Sequence, residues 1–107
     1  MKLCIRSSTT RLEVSKIGLA KLAETGKTEN AVRFSSEQSL RYGIEVRPTG
    51  AVTATLAGDA ILVTLPKSRL DLWLRRDEVS IEGSQPIGGG KVLQIVLERN
   101  EGAQRVQ

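Results

Sequence analysis

The sequence predicts a strand-rich α+β domain: a duplicated strand-strand-helix-strand-strand unit forming one pseudo-twofold, eight-stranded barrel or sandwich with two short helices. Three observations predict it. Several short segments alternate polar and apolar residues, two stretches place apolar residues at helical spacing, and matching positions recur at a constant separation. A chain of 107 residues is also the length of one domain, so we expect residues 1–107 to form a single one.

The first unit opens with two alternating segments, residues 2–6 and 11–14, around a turn-prone Ser/Thr run, which predicts a hairpin. Ser15 stands where a helix N-cap would lie, and Gly26 stands where helices commonly end. We therefore expect a short helix between them. Its predicted buried stripe consists of Leu19, Leu22 and Ala23.

A second hairpin is predicted from residues 31–34 and 40–46, with a polar loop over 35–39. The segment Arg47-Pro48-Thr49-Gly50 then has turn chemistry, because proline fixes φ and glycine accepts positive φ. This turn separates the two units.

The second unit repeats the order. Residues 52–56 and 61–65 alternate around a Gly58-Asp59 turn, and Pro66, a favoured first helical position, opens a predicted helix over 67–76. That helix has a buried stripe and a basic last turn, formed by Leu70, Trp73 and Leu74 and by Arg75 and Arg76.

The last two strands are predicted over residues 78–82 and 91–98, joined by a glycine-rich loop over 83–90. The remaining tail, 99–107, is polar and is expected to be frayed.

The separation between matching positions supports a duplication. It is 51 from the pair Val14 and Leu65 through the helices. After the helices the separation falls to 47, because Phe34 matches Ile81. This implies that the connection from helix to strand is shorter in the second unit than in the first. We interpret residues 2–46 and 51–98 as copies of one unit; chance similarity of short strands is the alternative.

The few large aromatic residues, Trp73, Phe34 and Tyr42, are expected in core or rim packing rather than in a ligand site. With no histidine, three aspartates and one cysteine, the chain has no Ser-His or Cys-His pair and little material for a metal site. We therefore expect no enzyme activity, no metal and no cofactor.

Three further motifs have plain structural interpretations. In Gly88-Gly89-Gly90-Lys91 a strand pattern follows the lysine, so a hairpin loop is favoured over a phosphate loop. The acids near the second helix are interpreted as solvated charge rather than as a catalytic pair; they are Asp71, Asp77 and Glu78. Cys4 lies on the strand face opposite Leu3 and Ile5 and is expected to be a plain small residue.

No signal-peptide pattern and no apolar run near the roughly 20 residues that span a bilayer is present. The expectation is a soluble cytoplasmic protein with no membrane role; the oligomeric state stays open.

Charge is distributed unevenly. Residues 1–50 carry a net charge of +4, whereas residues 51–107 balance to zero. A basic excess permits an acidic partner such as nucleic acid without requiring one.

The second unit contains Leu65-Pro66-Lys67, Asp77-Glu78-Val79 and Gly90-Lys91-Val92, in the order strand, proline, short helix, acidic residue, strand, glycine turn and strand. In this order it resembles the swapped-hairpin barrel domain of the AbrB and MazE transition-state regulators and antitoxins. In that family two chains each give one unit to a barrel, so the resemblance implies both copies fused in one chain. The first unit departs from the pattern, since Ser15 replaces the proline and Gly18 lies inside the helix.

The chain as a whole, with its opening KLCIR and RLEVS, also resembles a group of short bacterial proteins of unassigned function. This resemblance implies no activity.

The AbrB-like resemblance implies DNA binding by basic residues of the hairpin before each helix and of the helix start. The matching positions are Lys2, Arg6, Arg11, Lys16, Lys67 and Arg69. Such side chains would neutralise phosphates, although a solvated hairpin face is the plainer interpretation. The second unit's hairpin has no Lys or Arg, which argues against a symmetric DNA footprint.

We therefore expect a non-enzymatic binding module, an AbrB-like DNA-binding or antitoxin-type regulator that contacts phosphates through its N-terminal hairpin. The alternative is a protein-interaction or assembly subunit with no nucleic-acid role, which would use a sheet edge or the apolar helix face around Trp73.

Overall fold

The computed structural model of the chain describes residues 1–75 and 80–99, which form eight strands and two helices. The elements of the first half are β1 (Lys2–Arg6), β2 (Thr9–Val14), α1 (Lys16–Thr25), β3 (Lys27–Arg33) and β4 (Ser39–Arg47). Those of the second half are β5 (Thr53–Ala57), β6 (Ala60–Pro66), α2 (Lys67–Leu74), β7 (Ser80–Gly88) and β8 (Lys91–Arg99). The order of elements is therefore the same in both halves.

The strands form two four-stranded sheets, with the orders β1-β2-β8-β7 and β3-β4-β6-β5. Each sheet takes one antiparallel hairpin from each half, and the halves meet at two parallel pairings, β2 with β8 and β4 with β6. Neither half has a sheet of its own. The predicted strand-rich α+β fold with two similar halves is confirmed, and the halves are interleaved.

The register gives the equivalence between the halves. Thr10 pairs with Ile95, and Ile61, which lies 51 positions after Thr10, pairs with Tyr42. Tyr42 and Ile95 are therefore counterparts at a separation of 53, and the predicted separation of 47 is wrong. The reason is that β3 starts 11 residues after the start of α1, whereas β7 starts 13 residues after the start of α2. The second connection is longer, and Thr28 replaces Phe34 as the counterpart of Ile81.

The core repeats the equivalence residue by residue. Among the described residues fourteen apolar ones are buried, and twelve of these form six counterpart pairs: Leu12 and Val63, Val14 and Leu65, Leu19 and Leu70, Leu22 and Trp73, Tyr42 and Ile95, Ile44 and Leu97. Each such side chain contributes about 1.5–3 kcal/mol when fully buried. One shared core between the two sheets therefore holds both halves together.

Helix α1 begins and ends as predicted. The Ser15 side chain accepts a hydrogen bond from the Gly18 N–H (3.2 Å), and Gly26 adopts a left-handed φ of 79° while donating its N–H to the Leu22 carbonyl (2.9 Å). Leu19 and Leu22 are buried, but Ala23 is exposed, so its predicted place in the stripe is wrong. The turn of 100° per residue moves Ala23 beyond the narrow strip that faces the sheets.

Helix α2 is shorter than predicted. Pro66 is its N-cap, one residue before the first helical residue, and the helix ends at Leu74. Arg75 is therefore the C-cap rather than part of the last turn, and Arg76 lies outside the described residues. Leu70 and Trp73 are buried as predicted, whereas Leu74 is half-buried.

Two strands differ from the prediction. Strand β3 begins at Lys27 and ends at Arg33, which leaves Phe34 in a loop with 69% of its surface exposed, so its predicted packing is wrong. Strand β7 continues to Gly88 through the predicted loop, because β8 pairs with it from Ser80 to Gly88, with an irregularity in the register between Pro86 and Gly88. Pro86 is tolerated there because β7 is an edge strand. Residues 78 and 79, the predicted start of this strand, lie outside the described residues.

The sheets meet at two corners. The Gln85 side chain of β7 accepts from the Ala54 N–H of β5 (2.9 Å) and donates to the Ala54 carbonyl (2.8 Å). At the other corner the Asn30 amide of β3 hydrogen-bonds the main chain of Met1 in either orientation of the amide (3.3–3.5 Å). The two sheets therefore enclose the core in a barrel-like arrangement. The hairpin turns lie at one end, here called the turn end, and the helices lie at the opposite end, here called the helix end.

Candidate nucleic-acid interface

Alternation along β1 and β2 places three of the predicted basic residues on one surface. Thr10, Leu12 and Val14 are buried, so the residues between them face outward. In the antiparallel register Cys4 lies opposite Arg11. Together the outward residues form a surface that we call the hairpin outer face: Lys2, Cys4, Arg6, Thr9, Arg11 and Glu13.

A shallow depression of about 330 Å³ lies on this face. Its lining offers two guanidinium groups, a hydroxyl, a thiol and one carboxylate, from Arg6, Arg11, Thr9, Cys4 and Glu13. Guanidinium groups bind phosphate oxygens through paired N–H donors, so the depression suits an oxyanion better than an apolar ligand.

The cations of the face differ in their surroundings. Arg11 Nη1 lies 3.5 Å from Glu98 Oε1 on β8, with 44% and 32% of the two side chains exposed. Such a half-exposed pair is worth at most about 1 kcal/mol, so Arg11 can exchange Glu98 for another anion. Lys2 and Arg6 are exposed and have no carboxylate within 4.0 Å among residues 1–75 and 80–99.

The other predicted residues lie elsewhere. Lys16 is the exposed first residue of α1, and Lys67 is the first residue of α2, where its Nζ lies 3.0 Å from Asp71 Oδ1. Arg69 is half-buried and lines a depression that also contains Glu82 of β7. The structure thus brings Lys2, Arg6 and Arg11 together. Lys67 and Arg69 lie apart from them, because α2 follows β6, a strand of the other sheet.

Acidic residues balance the cations over the sheet as a whole. The outer face of β1-β2-β8-β7 also carries Glu13, Glu82 and Glu98, so the local positive charge is confined to the β1 edge. The other sheet carries four outward cations that the sequence analysis did not single out: Lys27, Arg33, Arg41 and Arg47. Three of these are ion-paired, with Glu29 (4.0 Å), Asp59 (3.4 Å) and Glu45 (3.3 Å). Their alternation along residues 27–33 and 41–47 was the signal available in the sequence.

The chemistry of the remaining candidates is limited. Within the described ranges no group of three His, Cys, Asp or Glu side chains could hold a metal ion. Asp71 is ion-paired, and Asp77 and Glu78 lie outside the described residues. Lys91 follows a two-residue turn and opens strand β8, so it does not precede the helix that a phosphate loop requires.

No helix in the described part of the chain has the length and apolar character needed to cross a membrane.

Comparison with known proteins identifies a family. The model of DUF7009, a family of unknown function, matches residues 1–100. Searches of curated proteins and of solved structures found no match. Because the match covers nearly the whole chain, this protein belongs to the DUF7009 family.

Proposed function

We propose that the protein is a non-enzymatic binding module that contacts the phosphates of nucleic acid through the hairpin outer face. The observation that carries this proposal is the common orientation of Lys2, Arg6 and Arg11 on one hairpin. Lys2 and Arg6 are four residues apart on β1, a distance of about 13 Å along an extended strand. Arg11 lies between them on β2, so a linear polyanion could contact all three.

The interleaving of the halves supports a more specific form of the proposal. One hairpin of each half goes to each sheet, so both halves contribute to one barrel, as the resemblance to AbrB and MazE barrels implies. A DNA-binding or antitoxin-type regulator is that more specific form. The equivalent face of the second hairpin presents Thr53, Thr55 and Ala57, so contact would be one-sided.

Fluorescence anisotropy with a labelled mixed-sequence DNA duplex tests the proposal over a series of salt concentrations. With three phosphate contacts, the logarithm of the binding constant should fall with the logarithm of salt with a slope of about −3. The variant K2A/R6A/R11A should lose most of the affinity. The matched control, K27A/R41A/R47A, removes the same charge from the outer face of the other sheet and should retain it.

Equal loss of affinity in both triple variants would assign binding to net charge instead of to this face. Absence of binding at low salt would remove nucleic acid as a partner.

A protein-interaction role is the second candidate. The helix face around Trp73 does not support it, because Trp73 is completely buried against the core. Apolar side chains at the turn end favour it instead. Of the seven large apolar side chains that the described residues expose, six lie near the hairpin turns: Ile5, Val32, Phe34, Leu56, Ile87 and Val92.

A further inference from the structure

Strand β5 differs from the other three sheet edges. Natural proteins protect exposed edges with charged residues, proline or bulges, because an unpaired strand edge recruits another strand. The other edges carry such residues: Lys2 and Arg6 in β1, Lys27, Glu29 and Arg33 in β3, Glu82 and Pro86 in β7. Strand β5, with the sequence TATLA, has none.

The hydrogen bonds show which main-chain groups of β5 face outward. Ala54 uses its N–H and carbonyl to bind the Gln85 side chain, so these groups point away from β6. Leu56 has the same parity as Ala54, and its N–H and carbonyl therefore also point away from β6. Gln85 covers the first of these two positions, and the Leu56 side chain is 71% exposed.

An apolar cavity lies beside this edge. At the turn end the space between the sheets opens into a cavity of about 310 Å³, here called the barrel mouth. Its walls include Ile5, Ala54, Leu56, Ile61, Gln85 and Leu93. A strand added next to β5 would place alternate side chains over this cavity, since side chains of a strand alternate between its two faces.

Charge at the turn end favours an acidic occupant. Cations outnumber carboxylates there, with Arg6, Arg33, Arg41 and Lys91 against Glu37 and Asp59. Asp59 is already paired with Arg41 at 3.4 Å. Lys91 has the same parity on β8 as Leu93, which lines the barrel mouth, and it lies two residues closer to the hairpin turn.

We propose that β5 and the barrel mouth bind an extended segment of a protein partner, with alternating apolar and acidic side chains, which adds to the sheet at Leu56. Main-chain hydrogen bonds to Leu56 would hold the segment, and an apolar side chain would enter the barrel mouth. A carboxylate that follows beyond the end of the sheet, where side chains no longer alternate between two faces, would meet Lys91. A second copy of the chain fits less well, because its own turn end carries the same excess of cations.

The comparison of the two halves supports this assignment. Strand β1 is the counterpart of β5, and Lys2 and Arg6 occupy the places of Thr53 and Ala57. The protecting charges are thus present on one copy of the hairpin and missing from the other. Of the turn-end cations only Arg6 also belongs to the hairpin outer face, and the barrel mouth shares no lining residue with the depression on that face. The inference therefore goes beyond the function proposed above.

The test uses nuclear magnetic resonance of the isotope-labelled full chain. The probe is a nine-residue peptide of alternating valine and glutamate, and its matched control has lysine in place of glutamate. We expect the acidic peptide to shift the amide signals of β5 and to slow exchange of the Leu56 amide by about tenfold or more. The lysine peptide should have a much smaller effect.

Two variants locate the binding. Leu56→Lys imitates the protection found on natural edges and should weaken peptide binding by about tenfold, without loss of fold because the side chain is exposed. Ile17→Lys is the control, since Ile17 is 75% exposed at the helix end. Lys91→Glu should weaken binding of the acidic peptide and strengthen binding of the lysine peptide.

Several results would overturn the proposal. These are equal binding of both peptides, unchanged affinity in Leu56→Lys, or no shift in β5 at millimolar peptide. If the chain formed a dimer that Leu56→Lys abolished, the occupant of the edge would be a second copy of the chain. If the chain bound anionic vesicles without protection of the Leu56 amide, the occupant of the turn end would be a membrane surface. DNA binding by Leu56→Lys is measured in parallel. Retained DNA affinity would show that the phosphate-binding proposal stands whatever the result at β5.

Discussion

Arg11 and Glu98, 87 positions apart in the chain, lie 3.5 Å from each other across the parallel pairing of β2 and β8. This ion pair joins the first hairpin of one half to the last hairpin of the other. It also places a carboxylate beside a cation that we assign to phosphate binding. Glu98 is also the register partner of Glu13 on β2. It therefore attracts Arg11 and repels Glu13.

Glu98→Gln should therefore separate stability from binding. Since attraction and repulsion are lost together at a half-exposed site, the free energy of unfolding should change by less than about 1 kcal/mol. Removal of the competing carboxylate should raise DNA affinity by about twofold to fivefold at low salt. Urea unfolding and fluorescence anisotropy measure the two effects.

Glu82→Gln is the matched control, because Glu82 lies on the same sheet face but on β7, the opposite edge. It should leave DNA affinity nearly unchanged. If both substitutions raised affinity equally, only net charge would matter and the local assignment to Arg11 would be wrong.

A second prediction concerns the contact between Gly83 and Val52. A Cβ atom on Gly83 would lie 2.8 Å from Val52 Cβ and 3.2 Å from the Val52 carbonyl oxygen. Gly83→Ala should therefore lower the free energy of unfolding by about 1–3 kcal/mol, as overpacking typically does. Urea unfolding monitored by circular dichroism measures this change.

Ser84→Ala, at the neighbouring exposed position, should stay within about 0.5 kcal/mol of the parent protein. Combining Gly83→Ala with Val52→Ala should not restore the loss, because the Val52 Cβ and carbonyl remain in place and Val52, a buried core residue, loses two methyl groups. Full stability of Gly83→Ala alone would show that β7 can move away from Val52 at little cost.

A third prediction follows from the interleaved sheets. The single tryptophan, Trp73, is completely buried in a core built from both halves. Because each sheet contains hairpins of both halves, neither half can unfold while the other keeps its sheet. Trp73 fluorescence and far-ultraviolet circular dichroism should therefore report one coincident urea transition. A fluorescence transition at lower urea would contradict a shared core.

Local signals in the sequence were sufficient for much of this fold. The first hairpin, the cap at Ser15 and the helix end at Gly26 all depend on residues close in the chain, and the structure has each of them. The buried stripes of the two helices, with Leu19 and Leu22 in α1 and Trp73 in α2, likewise follow from a local periodicity.

The failures concern long-range pairing. Residues from Gly83 to Gly88 contain one proline and two glycines, a composition typical of loops, yet they form a strand because β8 lies beside them. The separation of 53 between Tyr42 and Ile95 depends on the parallel pairings, which no short pattern specifies.

The candidate site divides in the same way. Alternation alone indicated that Lys2, Arg6 and Arg11 share a face, since all three belong to one hairpin. The pairing of Arg11 with Glu98 and the distant places of Lys67 and Arg69 depend on how hairpins from different halves associate.

A fourth prediction concerns Gln85, which closes the corner between β7 and β5. Its two hydrogen bonds to Ala54, at 2.8 and 2.9 Å, are part-buried, so Gln85→Ala should lower the free energy of unfolding by about 1–3 kcal/mol. It would also expose a second pair of outward main-chain groups on β5. We therefore expect Gln85→Ala to self-associate at concentrations where the parent protein does not, as measured by analytical ultracentrifugation. Gln85→Glu keeps the acceptor for the Ala54 N–H but sets a carboxylate oxygen against the Ala54 carbonyl oxygen, so it should lower the free energy of unfolding at least as much as Gln85→Ala. Unchanged association of Gln85→Ala would mean that one glutamine does not limit access to this edge.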